Sequence, residues 1–218
     1  MTQNFASLEA MRLALGPALA EAAVWDGWSD AAVRSAAASR GIDADAAVFA
    51  FQGGPMVQIA AWIGSIDTAM AAALPAETLA AMKIRERIRT LVQFRLDGIA
   101  PHKEALRRAL AIMAMPQNAP RALRLGWHSA DAMWRLAGDT ATDYNHYTKR
   151  MTLGTLYAAT LAVFADDTSP DHAETRAFLD RRIEGVMKFE AAKARLLRPR
   201  EAGFSPARLL GRLRYPAR

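Results

Sequence analysis

No cysteine occurs among the 218 residues, which excludes disulfides, thiolate-bound zinc and cysteine nucleophiles and is consistent with a reducing compartment. Val, Ile and Thr are sparse beside Ala, so little of the chain favours strands and most of it favours helix. Between Arg40 and Lys83 there is no basic residue. The first ten residues lack the basic cluster and apolar core of a signal peptide, and no apolar run reads as long enough to span a bilayer, so any membrane contact is expected to be peripheral. The chemistry of catalysis is missing as well. There is no Gly-rich phosphate loop, no Gly-x-Ser-x-Gly elbow and no Glu-x-x-His motif of the kind that builds a di-iron bundle. Of the four histidines (His102, His128, His146 and His172), two have a carboxylate three positions away, His128 with Asp131 and His146 with Asp143. Such pairs are ordinarily surface hydrogen bonds or caps, so no catalytic residue, metal or cofactor is expected.

With 52% hydrophobic and 23% charged side chains, the chain can bury one sizeable core. Apolar spacing and punctuation outline an all-α fold of about nine helices. The first is expected over 5–24, closing at Gly27. Ser29 reads as the cap of a second that ends at Gly41, and Asp43 caps a third that reaches Phe51. A helix apolar on nearly all sides follows over 56–74 and stops at Pro75. The next is read as continuous over 76–99, and Pro101 opens another to Met115. Two long helices over 121–137 and 142–165 are joined by a short connection through Gly138, which makes them antiparallel neighbours. A ninth runs from Ser169 to Leu197. These elements divide into a three-helix subdomain (1–54), a larger helical domain (55–197) and a terminal segment (198–218). Three short helices before a larger helical domain is the layout of TetR-type regulators, in which the second and third form a helix-turn-helix.

Charge argues against DNA as the partner of that front module. The net +6 is uneven: residues 1–54 hold three basic groups against six acidic ones, whereas residues 181–218 hold eleven basic against three. A DNA reader must neutralise phosphates. The candidate recognition segment instead carries Asp43 and Asp45 and only Gln52 as a base-edge donor. A TetR-type transcriptional regulator with a hydrophobic small-molecule effector stands as the alternative reading. At the other end, with Ser205 as a cap, Leu209, Leu210 and Leu213 fall on one arc flanked by Arg208, Arg212 and Arg214. That pattern suits an anionic membrane surface, and it equally suits a solvated basic tail or a helix folded back on the core.

The stretch DAMWRLAGDTATDYNHYTKR, from Asp131 to Arg150, together with FADDTSPD, FLDRRIE, the Gly27–Trp28 pair and MPQN, resembles the Coq-nine lipid-binding family of ubiquinone biosynthesis over most of residues 5–190. The resemblance implies a TetR-like fold, a homodimer, an isoprenoid or other lipid held in the helical interior, no enzymatic activity, and support of a demethoxyubiquinone hydroxylase at a membrane. It places the partner-binding patch at Asp131, Met133, His146 and Tyr147, with His146 where animal members are expected to have Trp. It also favours the membrane reading of the tail. The interior lipid would be lined by apolar groups from the fourth helix onward, for which the sequence supplies Ile59, Trp62, Ile63, Ile66, Leu91, Met113, Trp127, Leu153, Leu156 and Leu161. The same residues would equally fill a plain core. Without a leader of the mitochondrial kind, the expected location is the cytoplasmic side of a bacterial inner membrane, or the matrix side of the mitochondrial one for a processed chain. No nucleic-acid partner is expected.

Overall fold

The computed structural model describes residues 5–142 and 144–197. Among them are ten α-helices and no strand: α1 (Leu8–Asp26), α2 (Asp30–Ser39), α3 (Ala44–Ala50), α4 (Pro55–Ala73), α5 (Ala76–Ala80), α6 (Ile84–Ile99), α7 (Lys103–Met113), α8 (Ala119–Leu136), α9 (Tyr144–Asp166) and α10 (Ala173–Leu197). The chain divides into two compact units, one ending at Ile183 and the other beginning at Glu184. The cavity and every ion pair discussed below belong to the first.

The second and third helices start at the caps read from the sequence, whereas α1 starts at Leu8 and not at residue 5, with Ser7 as its cap. Ser7 Oγ accepts from the Ala10 N–H at 3.1 Å, Ser29 Oγ from Ala32 at 3.3 Å, and Asp43 Oδ1 from Ala46 at 2.7 Å. Each satisfies a donor that the first helical turn leaves without a partner. Gly27, at φ 66°, ends α1 in a conformation that an L side chain rarely adopts.

The span expected to be one helix over 76–99 is two. Residues 81–83 break it, and α6 restarts with the Lys83 N–H donating to Glu86 Oε2 at 3.1 Å. The break has no Gly or Pro to announce it. Arg87 secures it by donating to the carbonyls of Ala80, Met82 and Ala137.

Helix α4 corrects a second expectation, because by length and composition it is apolar enough to cross a membrane. In this fold the same property serves burial within protein, since α4 packs against α1, α6, α7 and α8. Its crossing with α1 is close. A Cβ on Gly16 would lie 2.8 Å from the Ala61 carbonyl oxygen and 2.7 Å from Ser65 Oγ, so only glycine lets the two backbones approach this far. Trp28 extends the link by donating from Nε1 to the Ala105 carbonyl of α7 at 3.0 Å and packing its ring 5.4 Å from that of Trp62 on α4.

Candidate functional site: an apolar cavity beside a salt-bridge clasp

Helices α4, α6, α7, α8 and α9 enclose a cavity of about 760 Å³. Such a volume is within the range of small-molecule sites, and side chains filling it would have produced an ordinary core. Two glycines help to keep it open. Gly126 on α8 lines the cavity, and a Cβ there would meet no heavy atom within 4 Å. Gly154 faces it from α9, where a Cβ would make only ordinary contacts, at 3.8 Å. The lining grades from a buried floor to an exposed rim. Ile59, Trp62, Arg95 and Ser129 are buried, whereas Leu123 and Met151 are 75% and 65% exposed.

Seven of the ten residues expected around an interior lipid line this one cavity: Ile59, Trp62, Ile63 and Ile66 from α4, Met113 from α7, Trp127 from α8 and Leu161 from α9. Leu91, Leu153 and Leu156 do not. They are buried in ordinary core packing, because apolar periodicity marks the inward face of a helix without saying whether another side chain or a space lies opposite.

The floor carries the polar groups that the sequence did not single out. Arg95, 1% exposed, pairs through Nη1 with Asp67 and donates from Nη2 to Ser129 Oγ at 3.0 Å. Its guanidinium lies 4.9 Å from the centre of the Tyr157 ring. Its Nε–H is buried without an acceptor in the protein. Burial pushes the Asp67 carboxyl above its ordinary value, while the neighbouring guanidinium pulls the other way. Arginine keeps its proton at any accessible pH, so the guanidinium supplies a fixed positive charge beside that carboxyl.

The distinctive stretch from Asp131 to Arg150 proves to be a clasp between α8 and α9. Its two end residues meet, with Arg150 Nε 2.6 Å from Asp131 Oδ1. Arg150 Nη1 reaches Asp139 Oδ2 at 2.9 Å and the His146 carbonyl at 3.1 Å, while Lys149 holds the other Asp139 oxygen at 2.6 Å. Burial works to raise the Asp139 carboxyl, and the hydrogen bonds from Lys149 and Arg150 outweigh it, so the group lies below its ordinary value. Trp134 closes the same end by donating from Nε1 to the Lys149 carbonyl at 3.0 Å. The pairings 131 with 150 and 134 with 149 run in opposite directions along the two helices, as the short connection required.

FADDTSPD is explained in the same way. Asp167, 4% exposed, accepts from the N–H and hydroxyl groups of both Ser169 and Thr175. Although burial opposes its charge, these four donors hold its carboxyl far below the usual range, and they fix the entry into α10.

Of the expected partner patch, His146 and Tyr147 form an aromatic surface with Trp127. Tyr147 is 59% exposed, and its ring centroid lies 5.2 Å from that of His146 and 6.0 Å from that of Trp127. Asp131 is engaged by Arg150 and by Arg135, the latter at 2.9 Å. Met133 requires a correction. It is fully buried, at 0% exposure, because one residue in each turn of α8 must face inward, and it offers no surface to a partner. The six tail residues Arg208, Leu209, Leu210, Arg212, Leu213 and Arg214 lie outside the described residues. Among the described residues no group of three or more His, Asp or Glu side chains is placed to hold a metal ion.

The clasp, the aromatic surface and two walls of the cavity fall within residues 119–190, and these match the COQ9 family model. Over residues 119–190 the chain is similar to a COQ9 domain. The ubiquinone biosynthesis protein COQ9, mitochondrial, of Rattus norvegicus is 42% identical over 105 residues, covering 48% of this chain and 34% of that protein. The protein of that name from Homo sapiens is 39% identical over the same length, covering 48% and 33%. The probable ubiquinone biosynthesis protein coq9, mitochondrial, of Dictyostelium discoideum is 30% identical over 116 residues, covering 51% and 36%. The chain thus matches about a third of the length of these curated relatives. The fold is TetR-like: a crystal structure of the TetR transcriptional regulator from Nitrosomonas europaea ATCC 19718 superposes with a TM-score of 0.64 at 21% identity, over 82% of this chain and 98% of that one.

Proposed function

We propose that this protein is a non-enzymatic accessory factor of ubiquinone biosynthesis that holds a polyprenyl quinone intermediate, or another isoprenoid lipid, in its helical interior and presents it to a hydroxylase. The observation that carries this reading is the 760 Å³ apolar cavity, walled on two sides by the COQ9-like residues 119–190 and open at a rim of exposed Leu123 and Met151. The aromatic surface of Trp127, His146 and Tyr147 is the proposed hydroxylase contact, where a partly exposed aromatic cluster suits an interface anchor. A second copy of the chain, as the family resemblance implies, is the proposed homodimer partner. A DNA-reading role is not favoured, because α3 carries Asp45 in its first turn and Arg34 is paired with that carboxylate at 2.9 Å.

Replacing Gly126 with Leu tests the cavity. The new side chain enters open space, and a helical glycine is lost, so thermal stability should hold or rise by about 1 kcal/mol. Isoprenoid lipid co-purifying with the protein, measured by mass spectrometry, should fall to a small fraction of the wild-type amount. Undiminished lipid in the folded variant would place the ligand elsewhere.

The proposed docking element is the tail, with Arg208, Arg212 and Arg214 beside Leu209, Leu210 and Leu213. Changing the three leucines to Ser should abolish sedimentation with anionic liposomes, since each removes roughly 1.5–3 kcal/mol if fully inserted. Changing the three arginines to Gln should weaken binding to anionic vesicles far more than to neutral ones. Unaltered sedimentation of the leucine variant would reduce the tail to a solvated extension.

A further inference from the structure

The mouth of the cavity carries a pattern that neither its interior nor the aromatic surface accounts for. Leu123 of α8 and Met151 of α9 line the opening and are largely exposed. Apolar side chains turned toward water at the entrance of a site mark a surface that is covered in use. Arg121 and Arg124 flank Leu123, and both are exposed. Among the described residues neither is paired with a carboxylate, in contrast to Arg107 and Arg108 on α7 and Lys149 and Arg150 on α9. Arg121 stands in the first turn of α8, where the helix dipole disfavours a cation, so the stability of the helix does not account for it.

The chain around the mouth is also of one sign. No Asp or Glu occurs between Glu104 and Asp131, or between Asp143 and Asp166, and these stretches hold most of α7, α8 and α9. Unpaired cations beside exposed apolar groups, with no anion among them, complement a surface that is anionic outside and hydrocarbon within. The cargo selects a bilayer over a protein with an acidic face. Each methylene passing from hydrocarbon to water costs about fourfold in partition, so a lipid with ten of them would be held back roughly a millionfold by an opening that faced water. The lipid starts in the bilayer, and the opening that admits it must meet the bilayer.

We infer that the cavity mouth is itself a membrane-docking surface: Leu123 and Met151 enter the acyl boundary of an anionic leaflet, Arg121 and Arg124 lie at its headgroups, and the cavity fills from the leaflet without exposing the lipid to water. The inference rests on reading the cavity as a lipid site and adds the surface through which it is loaded. It does not depend on the C-terminal segment, whose contribution to sedimentation a local probe leaves aside.

Because the chain has no cysteine, a single one carries a polarity-sensitive fluorophore to a chosen position of the full-length protein. Labels at Leu123→Cys and Met151→Cys should shift to the blue on vesicles of phosphatidylcholine with phosphatidylglycerol, and nitroxide-bearing lipid should quench them. A label at Ser39→Cys on α2, which packs against α1 and α3, should stay in water and be quenched by iodide. Arg121→Gln combined with Arg124→Gln should weaken binding to these vesicles about thirtyfold and leave the thermal melt unchanged. Labels at 123 and 151 that stay in water while the protein sediments with the vesicles overturn the inference. So do labels that leave water only when a protein partner is added, a label at 39 that inserts equally, or an arginine variant that binds as the wild type does. In each of these cases the lipid cavity stands, since co-purifying lipid is measured separately. Insertion of both labels by a protein that carries no isoprenoid lipid supports the docking surface and removes the cargo reading instead.

Discussion

Arg150→Ala should lower the unfolding free energy by about 3–5 kcal/mol at neutral pH, because it leaves the carboxylates of Asp131 and Asp139 buried without their shared cation. For a chain of this length that is a fall in Tm of roughly 10 °C or more. Lys149 still holds one Asp139 oxygen and Arg135 one Asp131 oxygen, so the loss is partial at both residues. The effect carries a pH dependence with a definite sign. The Asp139 carboxyl lies below its ordinary value in the folded protein, so its contribution is fully present above the unfolded value near 3.9 and is lost as pH falls through the folded one. In the variant Asp139 keeps Lys149 and loses Arg150, so less of that contribution remains to be lost in acid. Urea unfolding at pH 7 and pH 3 should therefore show a wide gap between wild type and Arg150→Ala that narrows markedly in acid. A gap unchanged by pH would mean that the guanidinium contributes packing and not charge.

Met133→Lys and Tyr147→Lys place the same charge fourteen residues apart in sequence and should behave oppositely. Met133 is fully buried, and an unpaired ammonium in its place should cost about 4 kcal/mol or more, enough to prevent a cooperative melt near the wild-type temperature. Tyr147 is largely exposed, so its replacement should stay within about 0.5 kcal/mol of wild-type stability. If the aromatic surface is the hydroxylase contact, only Tyr147→Lys gives a folded protein that fails to support quinone synthesis. Thermal melts beside a quinone assay read both outcomes, and a folded Tyr147→Lys protein with full support of quinone synthesis would remove this surface from the proposal.

Local signals made most of the fold legible in the sequence. Ser29, Asp43 and Pro75 act within one turn of themselves, and the structure has helix boundaries beside each. The break at 81–83 was not legible, because Ala, Met and Lys are compatible with a helix and the Arg87 bonds that hold the break include one to Ala137, fifty residues away. The site divides along the same line. Apolar spacing identified the inward faces of α4 and α8, and with them Ile59, Trp62 and Trp127, yet it could not separate these from Leu91, Leu153 and Leu156, which meet other side chains and not a space. Arg95 was passed over for a related reason. An arginine in the charged run of α6 reads as solvated, and only the arrival of Asp67 and Ser129 from two other helices makes it the floor of a cavity. Asp131 and Arg150 are legible in the sequence as the ends of a motif, and nothing in their spacing shows that they touch.

Trp127 belongs to two places at once. Its indole lines the cavity and also packs against His146 and Tyr147 on the surface. If a lipid and a protein partner both bear on that ring, neither binds independently of the other. Whatever factor the lipid applies to the affinity for the partner, the partner applies to the affinity for the lipid. A partner that favours the ring position of the filled cavity would tighten the lipid on docking. One that favours the position of the empty cavity would expel it, and docking would then itself be the step that releases the cargo.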